Sequence, residues 1–250
     1  MVLEMSAAEP ILQVSGLGKR FGGFIALADI ELEVARGERL GLIGPNGSGK
    51  STLVNCLAGT LRNEAGSVRF EGRVLDGAPA HLRTRAGLSR TFQLPRPFGT
   101  LTLAENLRIP ILYAVQTREG GSGLNIEERC RALLDTVGLA DKAARLPKDL
   151  TQIEMRKLEL ARAMAAEPRL LIADEAMAGL SHGEVDDILA LLVRLNERQG
   201  ITIIMIEHIM RAVLSFSQRL VVLVAGRKIA DGDPQDVVRQ QDVVAAYLGS

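Results

Sequence analysis

Apolar positions recur along the chain in two rhythms, and each change of rhythm marks an element. Ile30, Leu32 and Val34 alternate with acidic residues, a period of two that predicts a half-buried strand. Leu12 to Val14 predicts an earlier strand, and Val68 to Leu75 reads as a hairpin folded back through Glu71-Gly72. Leu40, Leu42 and Ile43 suit a buried strand, after which Leu53, Val54, Leu57 and Ala58 recur with helical spacing. The first third is therefore expected to form a small antiparallel sheet beside a strand-to-helix unit.

The middle third changes character after Phe92-Gln93, where Pro95 and Pro97 interrupt any regular element. Thr102-Leu103-Ala104-Glu105 has the spacing of a capping box ahead of an apolar helical run, and a second helix is expected from about Ile126 to Val137. Glu119 to Gly123 reads as a flexible loop between them. The last hundred residues alternate: a helix near Glu154 to Ala166, a strand at Leu170 to Ala173, a helix near Glu184 to Arg198 and a strand at Ile201 to Ile206. Short, nearly continuous apolar strands of this kind suit a parallel sheet covered on both faces, so the class is α/β. A hairpin around Ala225-Gly226 and a helix ending near Leu248 complete the pattern, which contains no internal repeat.

Length and charge narrow the reading further. With 250 residues the chain suits one large domain, about 10–250, with a core at about 10–93 and 166–250 and a helical subdomain at about 94–165. Thirty basic and thirty acidic side chains cancel and are intermixed, which argues against a nucleic-acid partner. The longest apolar runs are about six residues, far short of the roughly twenty that span a bilayer. The N-terminal residues lack a basic-then-apolar secretory pattern, so a cytoplasmic location is expected. Cys56 and Cys130 lack the spacing of a metal site and are expected to be unreactive thiols.

The chemistry concentrates at Gly44-Pro45-Asn46-Gly47-Ser48-Gly49-Lys50-Ser51, a complete G-x-x-x-x-G-K-S pattern between the expected strand and helix. Glycines allow the backbone to fold around an anion, and the following helix adds the positive end of its dipole. Lys50 would lie against the β- and γ-phosphates of a nucleoside triphosphate, and Ser51 would offer its hydroxyl to Mg²⁺. Asp174-Glu175 ends the strand from Leu170, at the end of a parallel strand where α/β sheets bind ligands. Asp174 can hold Mg²⁺, and Glu175 can orient or deprotonate water. Taken alone, the same pair also reads as acidic residues capping the next helix.

From about Leu12 to Leu248 these landmarks make the chain resemble an ABC-transporter nucleotide-binding subunit, of the type that serves branched-chain amino acid importers. The subgroup likeness rests on Arg90-Thr91-Phe92-Gln93, on Ala173 to Leu180 and on Ala245 to Gly249. The resemblance implies the ABC ATPase fold: a P-loop NTPase (RecA-like) core, an antiparallel β subdomain and an inserted helical subdomain. It implies ATP and Mg²⁺, with Gly44 to Ser51 and Thr52 around the phosphates. Gln93 matches the glutamine that links metal and water to the helical subdomain, so it joins Ser51 and Asp174 as an expected metal contact. Phe21 matches the adenine-stacking aromatic, with a core Phe as the alternative reading of that residue. Ala178 to Ser181 matches a loop that crosses a dimer interface, and His208 matches a γ-phosphate sensor.

One segment departs from the family. Where the signature is normally Leu-Ser-Gly-Gly-Gln, this chain has Leu150-Thr151-Gln152-Ile153-Glu154. Thr151 retains a hydroxyl that could face a nucleotide held by a partner subunit. Thr151-x-x-Glu154 equally satisfies a capping box that merely starts the next helix. The resemblance further implies integral membrane permease subunits, a second identical or non-identical ATP-binding subunit, and an indirect solute-binding protein. It places the chain peripherally at the cytoplasmic face of the membrane, hydrolysing ATP to drive uptake of a small polar solute such as a branched-chain amino acid or amide. Two other readings stand beside it: an ABC ATPase not tied to transport, and a nucleotide-binding subunit that barely hydrolyses.

Overall fold

The computed structural model describes residues 9–117 and 125–248. The expected glycine-rich loop at Glu119 to Gly123 lies outside the described residues.

Two sheets organise the chain. β1 (Leu12–Phe21), β2 (Phe24–Val34), β4 (Ala65–Phe70) and β5 (Arg73–Val74) form an antiparallel sheet in the order β2-β1-β4-β5. The strand expected at Leu12 to Val14 thus runs seven residues further, through irregular pairings that break its alternation after Val14. The second sheet joins β3 (Arg39–Ile43), β6 (Leu88–Arg90), β7 (Leu170–Asp174), β8 (Thr202–Ile206), β9 (Arg219–Val224) and β10 (Arg227–Gly232) in the order β10-β9-β3-β8-β7-β6. All its pairings are parallel except the β9–β10 hairpin.

Burial explains why β7 and β8 read as unbroken apolar runs. Ile204 and Ile206 face one core with Leu40, Leu42, Leu53 and Leu57, while Ile203 and Met205 face the other with Val185, Ile188 and Phe216. With helices or the second sheet on both faces, the polar residues of these strands, Thr202 and Asp174, stand only at their ends. Each such side chain contributes roughly 1.5–3 kcal/mol through burial.

The helices cover these faces. α1 (Lys50–Ala58) fills the space between the two sheets. Its C-terminal carbonyls at Cys56 and Leu57 accept 2.8 and 2.9 Å bonds from the buried guanidinium of Arg83 on α2 (Ala80–Ala86), where a cation complements the helix dipole. Neither α2 nor β6 has enough residues to show a periodicity in the sequence. α3 (Leu103–Pro110), whose start carries the expected Thr102–Glu105 capping box, packs with α4 (Ile126–Thr136) and α5 (Gln152–Met164). α6 (His182–Gln199) and α7 (Met210–Phe216) cover the far face of the parallel sheet. α8 (Pro234–Val237) and α9 (Gln241–Leu248) pack beside the β9–β10 hairpin. Among the described residues, no helix is long and apolar enough to cross a membrane.

Candidate nucleotide site

Four neighbouring parallel strands, β3, β8, β7 and β6, deliver four chain segments to one edge of the sheet. The loop at Gly44 to Gly49 follows β3, Glu207-His208 follows β8, Glu175 follows Asp174 at the end of β7, and Gln93 lies three residues beyond β6. The C-terminal edge of a parallel sheet is where α/β folds bind ligands, because successive loops converge there.

The loop depends on two of its glycines. Gly44 is held against the Leu223 carbonyl, where a Cβ would collide with backbone. Gly49 has φ +104, and a Cβ there would stand 2.7 Å from the Ala26 carbonyl oxygen. Gly49 is also the N-cap of α1 and supplies no side-chain bond, so the first-turn N–H groups of this helix keep the positive end of the dipole open to an anion. The buried Lys50 ammonium folds back on the loop, donating to the carbonyls of Gly44 at 2.7 Å and Pro45 at 3.0 Å. Burial lowers the Lys50 pKa, while the Glu175 and Asp174 carboxylates act in the opposite direction.

A cavity of about 260 Å³ lies over this loop. Of the residues expected from the sequence, Phe21, Asn46 to Thr52, Glu175 and His208 line it. Gly44, Pro45, Asp174, Gln93 and Thr151 lie outside its wall. Phe21 is 48% exposed and pairs across β1–β2 with Phe24, which is 63% exposed and lines the same cavity. The core placement open to Phe21 in the sequence is therefore not the one found. Two exposed rings at a hairpin tip form an apolar wall suited to a planar base. Phe24 was not singled out in the sequence, although Gly22-Gly23 between the two rings is the local signal of a two-residue hairpin turn that pairs them.

Glu175 occupies the centre of the polar wall. Its φ of +47 places a non-glycine residue in the left-handed region, a strain of order 1–3 kcal/mol that the surroundings must hold. Its Oε2 accepts a 2.5 Å bond from Gln93 Nε2, and Oε1 lies 3.0 Å from His208 Nε2, a bond that requires the proton on Nε2. Asp174 is engaged elsewhere: Arg90 Nη2 donates to it at 3.0 Å, and Arg90 Nη1 donates to Asn55 on α1 at 2.6 Å. Burial pushes the Asp174 carboxyl up, with Arg90 pulling it down. Nothing in the sequence joins Arg90 to Asp174, 84 positions away. Glu207, also missed, is 3% exposed, and its Oε1 accepts the Met177 N–H at 2.9 Å. Burial raises its pKa from 4.5 to about 7.

Among the described residues no group of three or more His, Cys, Asp or Glu side chains is arranged to hold a metal. Ser51 and Asp174 nevertheless supply the hard oxygen donors that suit Mg²⁺ with phosphate oxygens completing its shell. Thr151 sits at the start of α5, where its hydroxyl accepts from Glu154 N at 3.4 Å and Glu154 Oε2 accepts from Thr151 N at 3.0 Å. Lys142 Nζ donates to the same Glu154 carboxylate at 2.5 Å. Both cysteines are buried and free.

Comparison with known proteins agrees with this architecture. Residues 27–178 match the family described as ABC transporter, and residues 227–250 match the one described as branched-chain amino acid ATP-binding cassette transporter. The chain is 37% identical to the high-affinity branched-chain amino acid transport ATP-binding protein BraF of Pseudomonas aeruginosa, over 97% of this chain and 99% of that protein. It is 34% identical to the corresponding LivG of Escherichia coli, with the same coverage. A crystal structure of a nucleotide-free ATP-binding cassette from an ABC transporter superposes with a TM-score of 0.86 at 31% identity, covering 96% of this chain and all of that one. A phosphate loop set between the strands of an antiparallel sheet and followed by a helical layer, matched at this identity over nearly the whole length, places the chain in the family of ABC-transporter ATP-binding cassettes.

Proposed function

We propose that the chain is the ATP-hydrolysing subunit of an importer for branched-chain amino acids or closely related small solutes. The observation that carries this reading is the convergence on Glu175. The loop, His208 and Gln93 reach it from three different strands, and two of them bond its carboxylate.

In this reading Phe21 and Phe24 receive the adenine, the loop and α1 bind the phosphates, and Lys50 exchanges its carbonyl partners for phosphate oxygens. Ser51 and Asp174, with help from Gln93, would hold Mg²⁺, which would neutralise charge on the bound phosphates. Glu175 aligns a water with the γ-phosphorus and takes its proton, while the bond from phosphorus to the bridging oxygen breaks. His208 and Gln93 respond to the presence of the γ-phosphate because both bond to the group that acts on it.

The region at about 94–165 is proposed as the subdomain that passes this response to membrane permease subunits. A groove of about 540 Å³ between it and β6 supports that role, lined in part by exposed Phe92, Phe98 and Tyr113. The chain would then sit peripherally on the cytoplasmic face of the membrane and dimerise with a second ATP-binding subunit. Thr151 to Glu154 would face that partner's nucleotide. Because Ile153 places a branched side chain where the signature's glycine would permit close approach to a phosphate, we propose that this composite site hydrolyses more slowly than the one holding Glu175. Disabling each subunit's glutamate separately tests this, and equal residual rates would refute it.

The central test is Glu175→Gln in the assembled transporter reconstituted in vesicles. ATP binding is expected to persist while turnover at this site falls at least about a hundredfold and leucine uptake falls with it. Near-normal hydrolysis would remove Glu175 from its role.

A further inference from the structure

Arg156, on α5, is only 7% exposed, yet it belongs to no ion pair among the described residues. Its guanidinium instead spans two backbone carbonyls: Nη1 donates to Gln93 O at 2.6 Å and Nη2 to Ala178 O at 3.0 Å. The Glu207, Glu159 and Glu175 carboxylates act on the guanidinium without a direct ion pair, so what its planar fork adds beyond its charge is the geometry it imposes on the two carbonyls.

Both carbonyls belong to segments that end on Glu175. The Gln93 side chain donates to Glu175 Oε2, and the Ala178 N–H donates to the Glu175 carbonyl at 3.3 Å. The planar fork of one arginine therefore closes a ring: from α5 to Gln93, to the carboxylate, back through the 175–178 turn, and to α5 again. Glu175 needs such bracing because its backbone lies in the left-handed region.

We infer that Arg156 is a positioning residue for the Glu175 carboxylate, acting through Gln93 and the Ala178 turn and thereby tying α5 to the hydrolytic group. The inference rests on the role proposed above for Glu175. It assigns to the helix after Thr151 a duty toward its own chain's nucleotide site. A displacement of α5 relative to the sheet would shift the Gln93 main chain and with it the amide that orients Glu175. Lysine cannot reproduce this arrangement, because an ammonium lacks two parallel N–H vectors at fixed separation.

The test measures steady-state ATP hydrolysis by the assembled transporter, taken above the Glu175→Gln baseline, for Arg156→Lys, Arg156→Met, Gln93→Ala and the Gln93→Ala/Arg156→Lys double variant. Arg156→Lys is expected to lower kcat about tenfold with the KM for ATP within about twofold of wild type, and Arg156→Met to lower it at least as far. In the Gln93→Ala background Arg156→Lys is expected to add less than its own tenfold, because the two residues act in one chain of contacts. Wild-type kcat in Arg156→Lys would overturn the inference. So would factors that multiply fully in the double variant, or a kcat loss matched by equal losses in nucleotide affinity and melting temperature. If Glu175→Gln itself hydrolyses normally, both readings fall. If Glu175→Gln is inactive while Arg156→Lys is normal, only the inference about Arg156 fails.

Discussion

The starts of α1 and α5 each lead into a helix with one buried face, yet they spend their backbone donors in opposite ways. α1 begins at Gly49, which gives no side-chain cap, beneath a cavity lined by Asn46 to Thr52. α5 begins at Thr151 with a complete reciprocal cap, reinforced by Lys142 on Glu154. The difference teaches that a helix N-terminus becomes an anion site when its own sequence declines to satisfy it, and a structural joint when it does not. The donors beside Glu175 follow the second pattern, with the Met177 N–H closed by the buried Glu207 carboxylate.

The largest expected effect breaks the open end. Gly49→Ala forces a Cβ toward the Ala26 carbonyl at positive φ, with an expected stability loss of about 3–4 kcal/mol and loss of nucleotide binding. Urea unfolding and fluorescent-nucleotide titration would show both, and an unchanged affinity would mean that the open loop is not the site.

Glu207 sharpens the contrast through pH. Its folded pKa of about 7 lies above its ordinary 4.5, so the folded protein holds this proton more tightly than the unfolded chain does. The stabilisation this gives is complete below about pH 4.5 and is lost as pH rises through 7, a decline of about 3 kcal/mol. Glu207→Gln is expected to flatten that part of the stability curve between pH 5 and 8. A wild-type slope in the variant would show that another group is responsible.

Lys50→Met tests the cation at the open end. Nucleotide affinity is expected to fall by about 1.5–3 kcal/mol, while urea stability without nucleotide changes much less, because the ammonium's hydrogen bonds go only to carbonyls and a hydroxyl and its burial cost offsets the pull of Glu175 and Asp174. Thr151→Ala is the smallest and the mirror image. It removes a cap worth about 1 kcal/mol and is expected to leave nucleotide affinity in the isolated chain unchanged. A drop in that affinity would erase the distinction between the two helix starts.

The eight-residue loop, Asp174-Glu175 at a strand end and the two-faced apolar strands were legible because they are local: spacing within ten residues fixes a turn, a cap or a periodicity. Local signals also announced the Thr151–Glu154 cap, although they could not say whether its hydroxyl was free. Tertiary structure alone decided the rest. It set Arg90 on Asp174, Arg83 on the end of α1, and Arg156 on both Gln93 and Ala178. Each of these is a bond or pairing whose partner is chosen by how strands and helices pack. A side chain's own neighbourhood in sequence carries no information about a carbonyl 63 positions away that its guanidinium will meet.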